Sequence, residues 1–205
     1  MSAPDAIALH ADGDGGASRM GGTPLLPASA PWPLTPDGRA LVFVAALDLR
    51  ELPGLPPLPA AGTLLVFWDL AFHELEKMDF VAATRVLLVE PGGVLEEQGV
   101  ATFGPLTLRG ELSSAPDEHQ LLGRPRDIQG PVLDEVAMWL DGSFPETRAR
   151  YDEAELQGDG WTLLAQFESV DGLMFGDAGA LYLVLPDADL RAARFDRVMG
   201  IMQCS

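Results

Sequence analysis

Short apolar runs, each closed by proline, glycine or charge, set the limits on this chain. Residues 41–47, 62–68, 84–89, 162–167 and 180–185 are apolar at most positions and rich in Val, Leu and Phe. Runs this short suit strands buried on both faces and are too brief for a packed helix of about ten residues or more. The breaks between them are equally clear. Residues 53–59 hold four prolines, and Pro91-Gly92-Gly93 stops the third run. Proline lacks the N–H that a helix or a sheet ladder needs, so these stretches are loops. Residues 21–40 carry five prolines and read as an extended strap whose Leu25, Leu26 and Trp32 insert into the body.

Helical signals are sparser. Pro131 suits a first helical position, and Val132, Val136 and Trp139 recur at helical spacing before Asp141-Gly142 ends the pattern. Residues 73–78 and 145–156 are helix-prone, and Asp187 or Asp189 is placed to cap a helix near Leu190. The expected fold is therefore α+β: a mixed or antiparallel sheet with a few short helices. Residues 1–20 are polar, Gly-rich and without periodicity, so they are expected to form a flexible arm. Residues 21–205 form the domain, large enough to bury a core without staples.

The domain contains a repeat. VAALD (44–48) followed by GTLLVFWD (62–69) resembles LAQFES (164–169) followed by GALYLVLPD (179–187). Aligning Ala45 with Ala165 pairs Ala46 with Gln166 and Asp48 with Glu168, and Gly62 and Gly179 then each open an apolar strand. Two strand–loop–strand units, within halves at about 21–93 and 131–205, would each leave an apolar face open and bury it on the other.

Charge narrows the partners. With 31 acidic and 13 basic residues the chain carries −18. Such a surface repels phosphate backbones and anionic membranes and steers in basic proteins. No run approaches the length needed to span a bilayer, and the first residues lack the basic and apolar regions of a secretion signal. Cys204 is the single cysteine, so no internal disulfide is possible. A cytoplasmic location is the expectation.

Four motifs in series resemble the YwqG-like family, a widespread bacterial domain of unknown function. They are GGTPLLP with APWPLTPDGRALVFVAALDL (21–49), LPAAGTLLVFW (58–68), HQLLGRPRDIQG (119–130), and LLAQFES with FGDAGALYLVL (163–185). The resemblance implies an α+β fold with a pseudo-repeat, no transferable catalytic activity, and an immunity-like, toxin-neutralising role. The chain departs from the pattern at Ala46, where the family usually has Gln, and at Phe175, where it usually has Trp.

The chemistry-bearing residues are few. His10, His73 and His119 stand apart, and no HExxH occurs, so no metal site is expected. There is no P-loop, no Rossmann fingerprint and no Gly-x-Ser-x-Gly elbow, hence no cofactor either. His119 is the best proton-transfer candidate, though a loop His bonded to main chain explains it as well. Gln129 and Gln166 would satisfy loop backbone or a polar ligand. Trp32 and Phe175 offer an apolar wall or simple packing. In GDAG (176–179), Asp177 would accept main-chain N–H bonds while Gly176 and Gly179 supply positive φ, unless the loop lines a cleft. Two functions follow: an acidic module that binds a basic partner protein, or an enzyme or small-molecule sensor whose site lies at the join of the halves.

Overall fold

A computed structural model of the chain describes residues 3–12, 15–71, 79–92, 94–99, 103–138, 140, 148–149 and 160–204. Within them the chain forms β1 (Ala6–His10), β2 (Arg19–Met20), β3 (Leu25–Pro27), β4 (Val42–Asp48), β5 (Thr63–Trp68), β6 (Thr84–Val89) and β7 (Leu95–Glu97). The second part supplies β8 (Leu106–Thr107), β9 (Arg109–Ser113), β10 (Gln120–Leu122), α1 (Val132–Met138), β11 (Trp161–Glu168), β12 (Ala180–Pro186), α2 (Asp187–Arg191) and β13 (Met199–Gln203). The expected α+β class is corrected: strand makes up 39% and helix 7% of the described residues, so the protein is essentially all-β. The reason is length. The two described helices are seven and five residues long, enough to plug a sheet face but not to form a layer. The helix-prone stretch 73–78 and Trp139 lie outside the described residues, as does nearly all of 145–156. At α2 the N-cap is Pro186, with no side-chain cap bond. Asp189 instead sits buried within the helix, paired with Arg194 and Arg197.

Every ladder is antiparallel. One sheet runs β13-β12-β11-β10-β1-β9, a second runs β6-β5-β4-β2-β8, and β3 pairs with β7 as a small ribbon. The internal repeat is visible bond by bond. In the first copy the β4–β5 register slips between Phe43 and Ala45; in the second, β11–β12 slips between Leu163 and Ala165. The extra residue, Val44 or Leu164, thus precedes the aligned alanine in both, as in a β-bulge. The N–H of Leu49 donates to the Gly62 carbonyl at 2.9 Å, and that of Ser169 to the Gly179 carbonyl at 3.0 Å. Both glycines lie against the third strand of their copy, and Gly62 is in addition held at a positive φ of 109°. A Cβ on Gly62 would stand 3.2 Å from the Val89 carbonyl, and one on Gly179 would collide with the Gln203 carbonyl, its counterpart on the third strand.

The two copies exchange strands. In the first, β2 lies between β4 and β8, a strand supplied by the second part of the chain. In the second, β10 lies between β11 and β1, a strand supplied by the N-terminus. The flexible arm expected over 1–20 is therefore corrected at 6–10. Ala6, Ile7, Ala8 and Leu9 are each 3% exposed or less, and β1 is hydrogen-bonded on both sides, to β9 and β10. Neighbours on both edges outweigh the short, weakly patterned sequence.

Side chains from both large sheets, among them Val66, Trp68, Phe167 and Leu183, form one buried cluster. The outer faces are covered differently. Over the first copy the proline-rich strap packs Leu26 and Leu41 onto Phe43, Ala46, Leu65, Phe67 and Val89, a dry second cluster. The second copy has a polar arrangement on the corresponding face.

Candidate functional site

Register defines this polar row. Ala46 pairs with Leu65 in the first copy, and Gln166 with Tyr182 in the second. Val89 and Gln203 correspond on the third strands, opposite Thr63 and Ala180. Where one copy has Ala46, Leu65 and Val89, the other has Gln166, Tyr182 and Gln203, and Gln120 on β10 stands opposite Gln166. The three glutamines and the tyrosine are at most 1% exposed. A buried amide is costly unless bonded, and here each is bonded throughout.

The partners come chiefly from the segment 117–130, the central motif of the sequence. Gln166 Oε1 accepts from the N–H of Arg126 at 2.8 Å, and its Nε2 donates to the Asp117 carbonyl at 3.1 Å. Gln120 accepts from the N–H of Asp117 and donates to the Leu122 and Arg124 carbonyls at 3.0 and 2.7 Å. Gln203 accepts from the N–H groups of Ile128 and Gln129 at 2.9 and 3.1 Å and donates to the Gly130 carbonyl and the Glu135 carboxylate, both at 2.9 Å. The Tyr182 hydroxyl donates to the Arg126 carbonyl at 2.7 Å. Asp127 closes the segment by accepting from the N–H of Val132 at the start of α1. An irregular loop is thus fastened over a sheet by side chains that supply the ladder it lacks.

His119 belongs to the same cluster. Its Nδ1 accepts from the N–H of Glu168 at 3.1 Å, which leaves the proton of the neutral ring on Nε2. Burial pushes its pKa below the usual histidine value, opposed by the nearby carboxylates of Glu118 and Asp117. Burial raises the Glu168 carboxyl, and Arg126, bonded to it at 2.6 Å, offsets part of that rise.

Of the candidates from sequence, the structure brings His119 and Gln166 together, and Gln129 joins them through its main-chain N–H while its side chain is exposed. The others lie elsewhere. Trp32 is half-buried in the strap over the opposite sheet, edge-on to Phe67 with ring centroids 5.4 Å apart, and its Nε1–H donates to the Leu41 carbonyl. Phe175 is fully buried in the main core. Asp177 is exposed on its loop. The positive φ expected at Gly176 and Gly179 is found at Gly176 and Ala178, while Gly179 serves the close approach of β13. Sequence reasoning missed Gln120, Tyr182 and Gln203. Their signal was available: each is a polar group placed in or beside an apolar strand, as Gln166 is.

A second feature lies at the edge of the other sheet. An open groove of about 370 Å³ runs beside β6, lined by Leu87, Leu88 and Val89, by Pro27 and Ala30 of the strap, and by Leu95 of β7. A smaller cleft of about 100 Å³ continues past Glu90 and Pro91 to Arg50 and Thr63. None of the six candidates lines either one.

Fold and site together define an antiparallel, essentially all-β protein of two large sheets and a small ribbon, built from an internal two-fold repeat. The chain belongs to a family of proteins carrying a domain of unknown function (DUF1963), whose family model matches residues 18–94 and 96–204. No curated protein matches it. Among the described residues, no helix is long and apolar enough to cross a membrane.

Proposed function

We propose that the chain is a cytoplasmic, acidic protein-binding module of YwqG-like type, which takes a basic partner protein in the manner of a toxin-neutralising immunity protein. One observation carries the reading. The buried polar side chains of His119, Gln120, Gln166, Tyr182 and Gln203 are engaged in holding main chain, so the residues best suited to chemistry have structural employment. What remains for recognition is the surface, and its charge of −18 favours basic partners and disfavours nucleic acid and anionic membranes. The reading as an enzyme or sensor with a site at the join has less support, because Trp32 lies over the opposite sheet and Asp177 is exposed on its loop, away from the buried His119 and Gln166.

The test is capture of partners from lysate on immobilised protein at stepped salt. A basic protein retained at low salt and released as NaCl rises is expected, because exposed charge pairs are screened within about 10 Å at 0.1 M. Absence of any retained protein at low salt counts against the reading.

A further inference from the structure

We propose that the groove beside β6 docks an extended segment of a partner protein in which apolar residues alternate with Lys or Arg, and that this segment adds as a strand to the free edge of β6. The proposal rests on the reading of the chain as an acidic protein-binding module and gives that module a place and a mode.

The observation behind it is an edge strand whose middle, among the described residues, lacks the usual protection. β6 ends its sheet, with β5 on one side and no described strand on the other. Its outward N–H and C=O groups are therefore a template for another strand. Natural edges are blunted by charge, proline or a covering segment. Here Arg85 guards one end and Glu90-Pro91 the other, leaving Val86, Leu87, Leu88 and Val89 between them. Leu87 and Leu88 are half-buried on opposite faces: one packs at the rim of the dry cluster under the strap, the other at the rim of the main core. The groove presents Leu87–Val89 facing Pro27, Ala30 and Leu95, with room for a few side chains. Val94, next to Leu95, is 77% exposed.

Charge selects the occupant. Among the described residues, Glu90 is the one charged residue lining the groove. The nearest cation in the adjoining cleft, Arg50, is engaged by Asp48 at 2.6 Å. An incoming strand places alternate side chains on opposite faces. Apolar residues at every second position would enter the groove, and basic residues between them would face Glu90 and the acidic surface. Main-chain bonds supply affinity in this mode, and the alternating side chains supply specificity.

The test uses dye-labelled, end-capped hexapeptides and the intact protein. The probes are an alternating Lys-Val peptide, its Lys-Ser and Glu-Val counterparts, and a Lys-Val peptide N-methylated along one edge. Saturable binding of the Lys-Val peptide is expected, with amide shifts concentrated on residues 84–91. Each of the other three peptides, and the Lys-Val peptide with the surface variant Leu95→Lys, should bind about tenfold more weakly or worse. If Lys-Val and Lys-Ser peptides bind alike, the groove proposal is overturned and the acidic-module reading stands. If the Glu-Val peptide binds as well as Lys-Val, both fall. If no peptide binds, the groove proposal fails, and salt-dependent capture of a partner then decides the broader reading by itself. Should Leu95→Lys disturb folding, the N-methylated peptide still decides whether a main-chain ladder forms.

Discussion

A single amide shows how the second copy of the repeat differs from the first. Gln203 bonds four groups, and Gln203→Leu would strand the N–H groups of Ile128 and Gln129 and the Gly130 carbonyl. Each buried group left unpaired costs about 1–3 kcal/mol, less where the loop can take up water. The expected loss is about 2–3 kcal/mol, read as a lower urea midpoint with unchanged slope. The converse change belongs to the first copy. Ala46 is 2% exposed within the dry cluster, so Ala46→Gln buries an amide with no partner and should also destabilise. The two faces are covered differently: the strap brings Leu26 and Leu41 to that of Ala46, where the second copy brings main chain that needs donors and acceptors. His119 adds a pH dependence. Its folded-state pKa lies below the unfolded value of about 6.5, so the unfolded chain binds the proton first. The stability it contributes is complete above about pH 6.5 and is lost as pH falls through the depressed folded value. His119→Gln should flatten the acid limb of stability against pH below about 6.5 relative to wild type. Parallel limbs would contradict the assignment. Subtracting the two curves cancels the opposite contribution of Glu168, whose raised pKa favours folding at lower pH.

At the scale of elements, β1 is the piece on which the sequence and the structure part company. Ala6–His10 is five residues with one β-branched side chain, preceded by proline and aspartate and followed by a Gly-rich stretch. Nothing local marks it as central, because its stability comes from β9 and β10, which lie more than ninety residues away in sequence. The strands β4, β5 and β12 are the opposite case. Their apolar runs are long enough to be read directly, and their glycines and prolines mark the ends. The same contrast holds at the site. Gln166 announces itself as a polar residue in an apolar strand, whereas the match between Gln203 and Gly130 depends on pairing that only the fold creates. The covering helix α1 was legible through Val132 and Val136, both fully buried. Its subordinate role was not, since propensity reports the presence of helix and says nothing of how much sheet surrounds it. For β1 the consequence can be measured. Ile7 is 1% exposed, and Ile7→Ala should cost about 2–5 kcal/mol by lost transfer energy and the cavity left behind. Amide exchange should accelerate in β10 and β9 along with β1. Acceleration confined to residues 6–10 would mean that β1 is an appendage after all.

For the molecule as a whole, reciprocal exchange makes the two copies inseparable. A fragment of residues 1–99 keeps β2 to β7 but loses β8, and the inner face of its sheet, including Val66 and Trp68, loses the core it shares with the other sheet. A fragment of residues 100–205 keeps β10 to β13 but loses β1 from between β9 and β10. Each half therefore exposes both a strand edge and an apolar face, the two features that most favour aggregation. Neither fragment should show a cooperative thermal transition by itself. Produced together, they should form one complex, because each carries the strand the other lacks. That complex should melt in a single transition, as a shared core demands. The contrary outcome is specific: a fragment 1–99 that folds and melts cooperatively in isolation would show that the first copy is a domain in its own right. The exchanged strands would then be ornament on two independent units, and the shared interior would cease to explain why both copies retain the same bulge and the same glycine.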